Sequence, residues 1–139
     1  RSRGLGDVYK RQGVLLEVNC ETDFVARTEE FARLVKDLTL QIAAMAPQYV
    51  DVQDIPAEEL ERLLVVALPQ ALRQGKPEHI AQRFAQGKLE RYLSEICLLR
   101  QPFVRDETRT VGELVQEAIA KLGENVVVRR FVRYQLGEA

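Results

Sequence analysis

The hydrophobic period of this chain changes once near its start, at a polar turn, and that change constrains what can follow. Over residues 14–20 apolar and polar side chains alternate. Val14, Leu16, Val18 and Cys20 share one strand face, Glu17, Asn19 and Glu21 fall on the other, and Leu15 is the exception. The run predicts a half-buried strand. Thr22 and Asp23, residue types that favour turns and helix caps, end it, and Phe24-Val25-Ala26 leads into a stretch with helical spacing. Phe24 sits at the junction with two readings: it plugs its own core, or it is presented to another molecule. Apolar residues beside a strand usually pack inward, so pattern alone favours the core.

Beyond the junction the spacing predicts helices. Thr28 is placed to cap a helix whose first turn carries Glu29 and Glu30, and Phe31, Leu34, Val35, Leu38, Ile42 and Met45 form its buried stripe. Pro47 should end it near Ala46, because the residue before proline is pushed out of helical geometry. A connector with some β character, Tyr49 to Ile55, precedes a second helix with Pro56 in its first turn and a buried face of Leu60, Leu63, Leu64, Ala67, Leu68 and Leu72. Pro69 should kink or end it, and Gly75-Lys76-Pro77 reads as a stop and restart. Ile80, Ala81, Phe84 and Ala85 give the next helix an apolar side. Gly87 is expected to break it before Leu89, Tyr92, Leu93 and Ile96 continue. Gln101 to Val104 reads as extended and Asp106 to Arg109 as a polar turn. Thr110 and Glu113 stand in capping-box relation ahead of Leu114, Val115, Ala118, Ile119 and Leu122, with Gly123 closing the helix. Residues 126–136 alternate again, with Val126, Val128, Arg130, Val132, Tyr134 and Leu136 on one face and Val127, Arg129, Phe131, Arg133 and Gln135 on the other.

The order strand, several helices, strand predicts an α+β fold, a small antiparallel sheet packed against several helices. At 139 residues the chain fits one domain. Residues 1–12, RSRGLGDVYKRQ, show little periodicity and no initiator methionine, and are set apart as a non-native or truncated segment before a domain at 13–139. Two strands make a marginal sheet, so a third is expected to be missing at the start or supplied by a partner.

Chemistry is sparse. A net charge of −1 gives no global argument for nucleic acid or membrane partners, and no apolar run is long enough for a membrane span. Cys20 and Cys97 lie far apart in apolar patterns and read as reduced core residues of a cytoplasmic protein. His79 has no second ligand at metal spacing, so no metal or cofactor site is expected. Asp51 with Asp54, and Glu58 with Glu59, read as surface charge at helix starts. Neither cysteine has an identifiable activating base, and phosphate-loop, GxSxG and HExxH motifs are absent, so no catalytic residue is assigned. Arg129-Arg130-Phe131-Val132-Arg133-Tyr134 mixes cations with aromatics and keeps one alternative open, an RNA-binding α+β domain.

Asn19-Cys20-Glu21-Thr22-Asp23-Phe24-Val25-Ala26-Arg27 resembles the signature of the bacterial translation elongation factor Ts family. The likeness continues through Ile42-Ala-Ala-Met-Ala-Pro-Gln-Tyr49, Gly75-Lys-Pro77, Gln101-Pro-Phe-Val104 and Gly123-Glu-Asn-Val-Val-Val-Arg-Arg-Phe131, and so covers residues 13 to the end. It is nearest the short form of the family, whose core module follows an N-terminal helical domain. Neither that helical domain nor the strand expected before Val14 is matched, and Pro69 falls where a continuous helix is expected. The resemblance implies a homodimeric, cytoplasmic guanine-nucleotide exchange factor for elongation factor Tu, with no cofactor of its own and no direct nucleic-acid contact. It also implies a site. Thr22-Asp23-Phe24 would intrude near the partner's magnesium and nucleotide, with Phe24 as the wedge, Asp23 orienting it, and Val25 and Ala26 supporting the turn.

Overall fold

A computed structural model describes residues 2–9, 12–63 and 78–135. Strands β1 (Ser2–Tyr9), β2 (Gln12–Cys20) and β5 (Val126–Gln135) form one antiparallel sheet in the order β1-β2-β5. The third strand is therefore the chain's own. Within the segment set apart at the start, Ser2–Tyr9 pairs with β2, Leu5 opposite Leu16 and Ser2 opposite Asn19. Between β2 and β5 lie helices α1 (Asp23–Ala26), α2 (Glu29–Met45), α3 (described over 57–63), α4 (Glu78–Ile96) and α5 (Val111–Leu122), with a hairpin of β3 (Pro102–Phe103) and β4 (Asp106–Thr110). The fold is α+β, as the element order predicts.

The inward face of β2 behaves as its alternation requires: Val14, Leu16, Val18 and Cys20 are buried, and Leu15 is exposed. Helix α2 covers that face. Thr28 caps it by accepting the Phe31 amide at 3.2 Å, and Phe31, Leu34, Val35, Leu38 and Ile42 are buried. Met45, the last residue of the expected stripe and of the helix, is exposed instead, although Ile42 and Ala43 in the same turn are buried. Ala46 then takes a left-handed conformation with φ 48°, and its amide reaches Ile42 O at 3.0 Å. Pro47 bars the right-handed alternative, and the carbonyl satisfied by this cap offsets the strain of about 1 kcal/mol.

Three other expectations give way. Gly87 does not break α4, which runs through it; a side chain there would meet nothing within 4 Å, so glycine costs only backbone entropy. Asp106 to Arg109 is strand β4, and the turn falls at Val104 and Arg105, where the β3–β4 hairpin closes. In β5 the faces exchange after Val128. The pairing shifts between Glu17 and Val18, which oppose Arg130 and Val128, leaving Arg129 as the extra residue of a bulge. Val126 and Val128 therefore point inward, while beyond the bulge Phe131 and Arg133 turn inward and Val132 and Tyr134 outward. Thr110 caps α5 as expected, accepting the Glu113 amide at 3.2 Å, and Gly123 ends it with φ 74°. The expected features at residues 64–77, including the Pro69 kink and the Gly75-Lys76-Pro77 stop, and Leu136 lie outside the described residues.

Candidate functional site

The junction between β2 and α2 is a single helical turn. Thr22 has extended backbone, φ −133° and ψ 155°, and accepts the Val25 amide on its hydroxyl at 3.3 Å, so α1 begins at Asp23. Arg27 closes it, its amide reaching Phe24 O at 3.3 Å, and the Thr28 hydroxyl donates to Val25 O at 2.7 Å before capping α2. This turn separates two neighbours: Val25 is buried in the main core, and Phe24 is 81% exposed. An apolar ring left in water this far beside a buried valine is a poor core residue and a good anchor for another molecule. The core reading of Phe24 is thus overturned. Asp23 is half-buried, and Ala26 packs at the margin of the core.

A second loop holds the turn. β5 pairs with β2 so that Cys20 lies opposite Val126, which brings the connection after α5 beside Thr22. There Glu124 accepts the Thr22 amide at 2.9 Å, and the Thr22 hydroxyl faces both its carboxylate oxygens, at 3.2 and 3.1 Å. Glu21 Oε1 in turn accepts the Asn125 amide at 3.3 Å. The partners are more than a hundred residues apart in sequence. Nothing in the local pattern marks Glu124 or Glu21 for this role; only the β2–β5 register brings them there.

The other candidates resolve to structure. Asp51 and Asp54 form the capping box of the short 3-10 turn Val52–Asp54, and Arg100 Nε donates to Asp51 at 3.1 Å. Glu59 accepts the hydroxyl of Tyr49, and that bond, chiefly, holds the phenol above its ordinary pKa. Cys20 and Cys97 are both buried and not disulfide-bonded. Burial pushes the Cys97 thiol up to about 11, the opposite of what a nucleophile needs. His79 lies on α4 with its side chain outside the described residues, and among the described residues no group of three or more His, Cys, Asp or Glu could hold a metal. No described helix is long and apolar enough to cross a membrane. On β5, Arg130 pairs with Glu17 at 3.1 Å, and the bulge places Phe131 inward and Tyr134 outward. Phe131 is half-buried and Tyr134 exposed, so the stretch offers one exposed ring rather than a stacking pair.

The comparisons agree on one family. The family model described as Elongation factor TS matches residues 11–138. A protein named Elongation factor Ts from Heliobacterium modesticaldum is 52% identical over 99% of this chain and 66% of its own length. The protein of the same name from Moorella thermoacetica is 54% identical over 99% of this chain and 70% of its own. That from Thermoanaerobacter sp. is 48% identical over 99% and 69%. The chain thus spans about two thirds of the length of the curated relatives it matches.

Proposed function

The chain belongs to the elongation factor Ts family, and on that premise we propose that it is a guanine-nucleotide exchange factor for elongation factor Tu in translation elongation. It acts by binding, with no covalent step. A protein speeds release of a bound nucleotide only by holding the nucleotide-free partner more tightly than the nucleotide-bound one. Thr22, Asp23, Phe24, Val25 and Ala26 form the binding element, with Phe24 inserting near the partner's magnesium and nucleotide. One observation carries this: a phenylalanine 81% exposed on a turn whose next residue, Val25, is anchored in the core. Magnesium and GDP belong to the partner.

The reading extends to assembly. Leu15, Val127, Val132 and Tyr134 are exposed on the face of the sheet turned away from α2, and we infer that a second copy of the chain covers them. We also place the domain at residues 13–139. The family match begins at residue 11, which supports that boundary, whereas β1 and the relatives' aligned span run across it. An upstream coding sequence with residues 1–12 in a native frame would remove it.

The test of function is release of fluorescent GDP from elongation factor Tu. The chain accelerates it, and Phe24→Ala loses most of the acceleration, on the order of thirtyfold for a central anchor worth about 2 kcal/mol. Because the ring is exposed, its removal leaves thermal stability nearly unchanged. Equal stimulation by Phe24→Ala would remove this residue from the mechanism.

A further inference from the structure

We propose that Glu124 is a positioning residue for exchange: its carboxylate pre-forms the Thr22-Asp23-Phe24 turn in the conformation the partner receives. This rests on the exchange reading above and adds to it a residue outside the Thr22–Ala26 segment. A four-residue helix is far below the length at which a helix is stable by itself, so α1 must be held by its surroundings. On one side Val25 is buried. On the other the Phe24 ring is in water. The start of the turn rests on Thr22, whose hydroxyl caps Val25.

Glu124 fixes Thr22 itself. One carboxylate oxygen takes the backbone amide at 2.9 Å while both face the hydroxyl, at 3.2 and 3.1 Å. A hydrogen bond to an ionised acceptor is stronger than a neutral one, and negative charge at the entry to a helix suits its dipole. The reciprocal bond from the Asn125 amide to Glu21 Oε1 ties the same two loops a second time, so the turn cannot slide along its neighbour. Gly123, left-handed at φ 74°, turns the chain out of α5 so that Glu124 follows directly.

The clamp lies at the surface. Surface interactions of this kind contribute little to global stability, but a turn ordered before binding avoids the entropy cost of being ordered during it. Losing Glu124 should therefore be felt in exchange more than in folding. In the full chain, Glu124→Ala is expected to lower the maximal rate of stimulated GDP release about tenfold, and Glu124→Gln, which keeps a neutral acceptor, about threefold. The melting temperature should move by no more than about 2 °C. Hydrogen exchange at the Thr22 amide should speed up in both variants. Combined with Thr22→Val, Glu124→Ala should cost less than the sum of the two single changes, since the two share the hydroxyl–carboxylate contact.

Unchanged release by Glu124→Ala, full additivity with Thr22→Val, or a rate loss matched by a loss of folded protein would each overturn the positioning role while leaving Phe24 as the anchor. If the unmodified chain fails to accelerate release, or Phe24→Ala accelerates it fully, the exchange reading fails first and this role falls with it.

Discussion

Phe24 and Val25 are adjacent in sequence and opposite in environment, one left in water and one in the core, and the difference is made by a single turn of helix. The same scale contains a buried polar network that the apolar pattern passes over. Gln41, on the core side of α2, donates to Gln101 Oε1 at 3.1 Å and Pro102 O at 3.0 Å and accepts the Val104 amide at 2.9 Å. Both glutamines are almost fully enclosed, yet their polar atoms are matched, which is what burial demands of them. Cys97 makes a pH prediction. Its thiol is raised from 9.0 to about 11 because burial disfavours the thiolate. Between those values the unfolded chain has given up a proton that the folded chain retains, so stability is full below pH 9 and falls as pH rises towards 11. Melting temperatures across that window should decline, and the decline should be shallower in Cys97→Ala; identical slopes would show that Cys97 does not govern it.

At the scale of the element, two helical glycines make opposite predictions. Gly87 in α4 has open space where a side chain would go, so Gly87→Ala should stabilise the chain by about 0.5–1 kcal/mol through helix propensity alone. Gly112 in the first turn of α5 lies so close to the preceding segment that a β-carbon would stand 2.9 Å from Leu99 O. A backbone atom cannot step aside cheaply, and Gly112→Ala should destabilise by about 1–3 kcal/mol. Urea unfolding of the two variants gives both signs in one experiment; a loss from Gly87→Ala or a gain from Gly112→Ala would contradict this packing. Strand β5 shows what one residue does to an element. The bulge at Arg129 turns Phe131 towards the core and puts Val132 and Tyr134 in water, reversing what strict alternation assigns them.

On the scale of the whole molecule, the sheet has one face under α2 and one bearing exposed apolar side chains. Leu15 lies opposite Val132, with Tyr134 further along β5, and the Glu17–Arg130 pair sits beside them. If a second copy covers this face, Leu15→Lys combined with Val132→Lys should convert a dimer to a folded monomer at micromolar concentration, with little change in circular dichroism, since both residues are exposed already. Sedimentation of the unmodified chain as a monomer under the same conditions would reject the dimer.

The sequence by itself determined what depends on neighbours along the chain. Alternation placed the inward face of β2, the threonines at 28 and 110 marked two helix starts, and Pro47 and Gly123 marked two helix ends, because each is a contest among a few adjacent backbone groups. The Thr22–Ala26 signature was legible too, but only as a motif; periodicity alone put Phe24 inside. Tertiary structure decided the rest. The direction of Phe24, the phase of β5 beyond Arg129, the third strand at Ser2–Tyr9 and the hold of Glu124 on Thr22 all depend on which strand lies beside which and in what register. Register is a sum of contacts between residues distant in sequence, and no local pattern encodes that sum.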